Sequence, residues 1–334
     1  PVAGEAAERV AEGGDVDGRA DAVQARAVGA GTLIAVDRVP ERLTMAAEAG
    51  AETIDMRACD VVEEILDRTQ GRGADACIDA VGSEADTWGT ADAVIDRIID
   101  LAQRTRDAAM LSRTHGQPAT PTTMGKELAV FAHRLRRVRA QIEGTEYLGK
   151  FSGATGTFAA HVVALPRENW PTLSREFVEG LGLTWNPLTT QIESHDWQAE
   201  LYSAIGLFNR ILHNLCTDVW TYISLAYFKQ IPVAGATGSS TMPHKINPIR
   251  FENAESNLEL SCAILDSLAS TLVTSRLQRD LTDSSSQRNI GLGFGHSLLA
   301  IDNVTRGLNE IDLSPAVLDA DLSDNWEVLG EAIQ

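Results

Sequence analysis

Positive charge is what this 334-residue sequence lacks most: 28 Lys and Arg face 47 Asp and Glu, giving a formal net charge of -19. Nucleic acid and anionic membrane surfaces both reward cationic protein faces, so the balance excludes them as general partners and leaves room for a local basic site that takes a small anion. The deficit is uneven. Residues 1–90 hold 8 Arg, no Lys and 19 Asp or Glu, a net of -11, which predicts two parts of different origin. Long apolar runs are also missing: no stretch reaches the ~18 residues a membrane helix needs, and no basic segment followed by an apolar core opens the chain. Cysteine is scarce. Cys59, Cys77, Cys216 and Cys262 are widely spaced, with no CxxC pair and no Cys/His cluster of zinc spacing. They predict reduced thiols packed as small hydrophobes in a cytoplasmic protein. The chain starts at Pro1 without a methionine, which suggests a processed product or a fragment. What is plentiful is ordinary apolar residue content, 44%, enough to bury a sizeable core.

Residues 1–30 are rich in Ala, Gly, Glu and Asp, and predict a poorly structured lead with a short helix near Glu5–Glu12. Over residues 31–90 the character changes. Leu33–Asp37, Glu52–Asp55 and Ala76–Val81 read as strands, separated by helical spacing over Pro40–Ala49 and Val61–Thr69, which predicts parallel βαβ units. Ala35–Leu43 and Asp79–Gly82 resemble the cofactor domain of medium-chain, zinc-type alcohol and formaldehyde dehydrogenases, and the resemblance implies that Asp37 is the acid that bonds an adenosine ribose. Where a GxGxxG turn would follow a first strand, the sequence has Gly13-Gly14-Asp15-Val16-Asp17-Gly18. Its two carboxylates repel a pyrophosphate, so the segment reads as a partial Rossmann-like remnant or fused piece, with a dehydrogenase as the minor alternative.

From about Asp92 the pattern is helical. Val94, Ile98, Leu101, Ala108 and Leu111 share a face, and Leu128, Phe131, Leu135, Val138 and Ile142 alternate steps of three and four. The same alternation runs from Leu201 to Tyr222 and again around Leu258–Leu272 and Ile290–Leu308. Helices this long predict a mainly α, elongated bundle over residues 91–334, often shared between subunits.

Most of the paired polar residues lie in four connections. Gly238-Ser239-Ser240-Thr241-Met242-Pro243-His244-Lys245-Ile246-Asn247-Pro248 gathers two hydroxyls, an imidazole, an ammonium and an amide; its prolines cannot continue a helix. Ser112–Pro118 carries Thr114 and His115, and Gly149–Gly156 is a glycine-rich turn whose amides suit an anion. In Arg276–Arg288, Arg279, Ser284 and Arg288 suit a phosphate or carboxylate. Taken singly, each has a plainer reading: a polar connector, a structural histidine, a turn, a serine-capped helix start.

Together, in order and wording, they resemble the fumarase/aspartase superfamily and, within it, the bacterial adenylosuccinate lyases. The resemblance covers about residues 92–334 and also rests on Gly125-Lys126-Glu127, Thr190-Gln191-Ile192-Glu193, Phe251-Glu252-Asn253 and Asn325–Leu329. It implies a β-elimination that cleaves a C–N bond and releases fumarate from adenylosuccinate and the succinylated aminoimidazole-carboxamide ribotide, in purine biosynthesis. By that pattern Ser240 is the base, with Ser239 the fallback, and His115 the general acid. Lys245 and Asn247 would hold the succinyl carboxylates, Thr114 and Gln191 would bind substrate, and Arg279, Ser284 and Arg288 would sit at the nucleotide end. No metal or organic cofactor is implied. The family pattern also implies a homotetramer with shared active sites. Its first domain is replaced here by the dehydrogenase-like segment, and the sequence stops just past Trp326, so a truncated C-terminal end and a catalytically impaired chimera keeping the lyase fold stay open beside the working enzyme.

Overall fold

A computed structural model describes residues 9–12, 33–37, 40–48, 50–69, 76–79, 84–232 and 245–334. The chain divides into two compact units, Pro1–Ala85 and Asp86–Gln334.

The first unit holds a four-stranded parallel sheet of β1 (Arg9–Glu12), β2 (Leu33–Asp37), β3 (Glu52–Asp55) and β4 (Ala76–Asp79), in the order β3-β2-β1-β4. Helices α1 (Pro40–Glu48) and α2 (Val61–Arg68) lie between strands in sequence. All five residues of β2 are buried, as both faces of a parallel sheet are covered. Its side chains alternate between two layers: Leu33 and Ala35 pack with Ala46 of α1, whereas Ile34 and Val36 pack with Ile54 and with Val61 and Ile65 of α2. The helix expected near Glu5–Glu12 is not what forms over Arg9–Glu12. That stretch is a strand, paired on both sides, with Val10 opposite Ile34 and Cys77. A helix of eight residues is marginal by itself; two ladders give this backbone more hydrogen bonds than one short helix. The Gly13–Gly18 run lies outside the described residues.

Among its described residues, the second unit is an up-and-down bundle of five long helices. In chain order come α3 (Glu84–Arg104), the hairpin β5 (Ala109–Thr114) and β6 (Gln117–Thr123), and α4 (Met124–Glu143). A small region follows with β7 (Leu148–Gly149), α5 (Ala159–Ala164), α6 (Trp170–Gly180) and β8 (Thr184–Trp185). Then come α7 (Asp196–Ser224), β9 (Phe228–Gln230), α8 (Ile249–Leu272), α9 (Thr282–Ser286), α10 (Ile290–Asn309), β10 (Ile311–Leu313) and α11 (Pro315–Ser323). The three-and-four spacing of apolar residues becomes one continuous core: Leu135, Leu212, Leu215, Val219, Leu258, Leu265 and Leu308 are fully covered.

Cross-helix bonds fix the directions. Thr217 bonds Glu255 and Trp220 bonds Glu252, so α7 and α8 are antiparallel; Ser261 bonds the Gly293 carbonyl and Asn303 bonds Asn253, so α8 and α10 are too. At mid-length, buried Asn209 on α7 donates to Ser261 on α8 at 3.0 Å and accepts from Ser297 on α10 at 2.7 Å. The connections therefore collect at two opposite ends. With 29 residues, α7 separates those ends by about 43 Å at the usual helical rise.

Candidate functional site

At one end stands the β5–β6 hairpin. His115 and Gly116 form its two-residue tip with φ of 53° and 73°, the left-handed pair that a tight hairpin turn of matching twist requires. An imidazole thereby sits exposed at the apex of a rigid ladder, with Thr114 paired to Gln117 beneath it. Buried Met110 and Leu111 root the ladder in the core. Arg113 donates to Asp321 of α11 at 2.6 Å, and Tyr227 donates its hydroxyl to the same carboxylate. Burial, then the bond to Asp321, pushes the Tyr227 phenol up to about 12, so it stays a neutral donor.

Behind the hairpin lies a cavity of about 620 Å³, lined by Arg113, Thr114, Lys126, Glu127, Asp218, Tyr222 and Tyr227 among others. Glu127 accepts from Thr122 at 2.7 Å and Lys126 at 3.0 Å. Burial, and then the charge of Glu127, raise the pKa of Asp218. Lys245 and Asn247 occupy the same end, just before α8, where Gln230 of β9 donates to the Ile246 carbonyl at 2.6 Å. The Lys245 ammonium donates to Asn247 Oδ1. Ser239, Ser240 and His244 lie outside the described residues.

The other expected residues gather at the opposite end. Lys150 Nζ donates to the carbonyls of Gly153, Thr190 and Gln191, the last at 2.7 Å, and burial lowers its pKa. The Gln191 N–H donates to the Gln278 carbonyl at 3.3 Å, so three connections are stitched together. The glycine-rich turn is held in part by its own backbone. Its Gly156 and Phe158 amides are spent on the Gly153 and Ser152 carbonyls, and Gly156 is required because, at φ 75°, a Cβ would lie 2.0 Å from the Thr189 oxygen. Arg279 donates to Asp283 Oδ2 at 2.7 Å, and His195 Nε2 is 3.2 Å from the same oxygen. Ser284 lies within α9 rather than capping it, and both Ser284 and Arg288 are exposed.

A model of the family described as "Lyase" matches residues 87–262, more than half of the chain. The chain belongs to this lyase family. Residues 275–334 match "Adenylosuccinate lyase C-terminal", and residues 22–106 match "Zinc-binding dehydrogenase", in keeping with the two resemblances in the sequence. Similar curated proteins include the adenylosuccinate lyase of Escherichia coli (strain K12), 52% identical over 241 residues, and that of Vibrio cholerae, 51% identical over 242 residues. Each match takes in 72% of this chain and 53% of the relative, so the chain spans about half the length of these relatives. A fumarate lyase crystal structure from Mesorhizobium sp. BNC1 superposes with a TM-score of 0.60 at 20% identity, covering 75% of this chain and 56% of that one. That likeness establishes the helical lyase fold.

Within the lyase fold, the described expected residues divide by end: Thr114, His115, Lys245 and Asn247 at one, Gln191, Arg279, Ser284 and Arg288 at the other. Sequence reading missed Asp283, His195 and Glu193 as partners of the second group. Asp283 stands four residues after Arg279, an ion-pair spacing that could have flagged it; the pairing with His195 spans 88 residues and left no local signal.

Proposed function

We propose that this lyase-family chain performs the adenylosuccinate-type elimination, releasing fumarate from adenylosuccinate or the succinylated aminoimidazole-carboxamide ribotide. The reading is carried by the match of residues 275–334 to the adenylosuccinate lyase C-terminal family, continuing the lyase match over 87–262 that spans the other site connections. Ser240, or failing it Ser239, removes the proton beside a succinyl carboxylate. The electron pair forms the C=C bond, the C–N bond breaks, and His115 protonates the departing nitrogen. Lys245 and Asn247 hold the carboxylates and so stabilise the dianion that develops between the two steps. Gln191, Arg279, Ser284 and Arg288 hold the nucleotide, and no metal or organic cofactor takes part.

The hairpin end and the far end of one bundle are too far apart to meet on a substrate this small. The site therefore draws on more than one copy, and a homotetramer of shared sites is the assembly proposed. The decisive measurement is fumarate release from adenylosuccinate by the assembled oligomer, followed by absorbance, with Ser240→Ala as control. No turnover by an oligomer of verified size sinks the reading. That result favours the second one, a non-catalytic chimera, which draws support from the dehydrogenase match of the first segment.

A further inference from the structure

Asp283 carries an ionised carboxylate whose side chain is only 10% exposed. A charge so covered must be matched by donors. Burial opposes its ionisation, yet the bonds from Arg279 and His195 outweigh that and hold its carboxyl below the usual range, while the other oxygen, Oδ1, is buried with no hydrogen-bond partner. The two side-chain donors come from different connections and converge on one oxygen, Arg279 Nη1 at 2.7 Å and His195 Nε2 at 3.2 Å. His195 is itself fixed. Its backbone sits at φ 62° ahead of α7, its N–H donates to Glu193 Oε2 at 2.8 Å, and Asn186 donates to Glu193 Oε1 at 3.0 Å. A continuous line of hydrogen bonds thus runs from Asn186 through Glu193, His195 and Asp283 to Arg279.

We propose that Asp283 is the positioning residue of the far-end half-site: gripped from one side by His195, it orients the Arg279 guanidinium toward a phosphate and sets the 279–288 segment against the Gln191 connection. The proposal rests on the elimination reading for the identity of the ligand, a nucleoside monophosphate. Guanidinium has five N–H donors in a fixed fork. One is held by Asp283, and the rest are left in a defined orientation for an oxyanion, which lowers the ordering cost when the ligand arrives. A carboxylate that only stabilised the short helix α9 would change stability without discriminating between ligands.

The test is calorimetric titration of AMP and of adenosine into the assembled full chain and its Asp283→Asn variant, with kinetics on adenylosuccinate alongside. We expect unchanged circular dichroism, an AMP affinity lower by about tenfold, an adenosine affinity unaltered, KM raised by about tenfold and kcat within about threefold. In an Arg279→Ala background the further change to Asn at 283 is expected to cost nothing more. Equal AMP affinity in the variant, or equal losses for AMP and adenosine, overturns the proposal. Should Asp283→Asn not fold, His195→Gln decides: an AMP loss of about threefold supports the line of bonds, and no loss overturns it. A wild-type chain that binds AMP but releases no fumarate removes the elimination reading and leaves Asp283 in its role; a wild-type chain that does not bind AMP overturns the role.

Discussion

His115 sits where a histidine costs conformational energy, at φ 53° on a hairpin tip. Asparagine tolerates that region better than most residues. His115→Asn is therefore expected to shift unfolding free energy by less than about 1 kcal/mol in urea titration while fumarate release is lost, separating the role of the ring from that of the fold. A second residue-scale expectation concerns pH. The Thr282 and Arg276 N–H groups hold the Asp280 carboxyl down to about 2. Because its folded pKa lies below the ordinary carboxylate value, its contribution is present above about pH 4 and is lost as pH falls toward 2. Urea midpoints measured across that window are expected to flatten in Asp280→Asn, and an unchanged acid limb sinks the assignment.

Between elements, α3 and α4 come very close where α4 begins. A Cβ on Gly125 would lie 2.3 Å from the Ala102 carbonyl oxygen and 2.5 Å from the Arg106 Cα, so α3 and α4 touch through backbone. Gly125→Ala is expected to destabilise by about 1–3 kcal/mol, read as a lower urea midpoint with the same slope, because neither backbone can yield locally. Elements of this kind were legible in part. The apolar alternation of Leu201–Tyr222 announced α7, and the Val/Ile/Leu run of Leu33–Asp37 announced β2, because period and burial leave a local mark in sequence. Arg9–Glu12 was misread as helix because its strand character comes from neighbours 24 and more residues away. Among the candidate site residues, His115 and Arg279 stand out in the sequence through their connections, whereas the division of the set between two ends depends on helix directions that leave no local mark.

At the scale of the molecule, the two groups of residues lie at opposite ends of one bundle, which makes the proposed site a property of the assembly. Co-assembled His115→Ala and Arg279→Ala chains, each inactive alone, are expected to regain about a quarter of wild-type fumarate release, since random mixing in a symmetric oligomer leaves that share of shared sites intact. Recovery of nothing would place both residues in one chain's site. The acidic net charge of -19 belongs at this scale as well. It sets a repulsion that copies must overcome, so association is expected to tighten with added salt, as sedimentation at increasing ionic strength would register.

The buried triad of Asn209, Ser261 and Ser297 acquires a meaning beyond satisfied hydrogen bonds. Three polar groups at one level of three helices act as a ruler. Sliding any helix by one turn, about 5.4 Å, would strand an amide or a hydroxyl among leucines. Intermediate settings are excluded, so the distance between the two ends takes one value. In the proposed assembly, a hairpin tip meets a partner's far end only if every bundle has the same length, and that length is gauged at its middle.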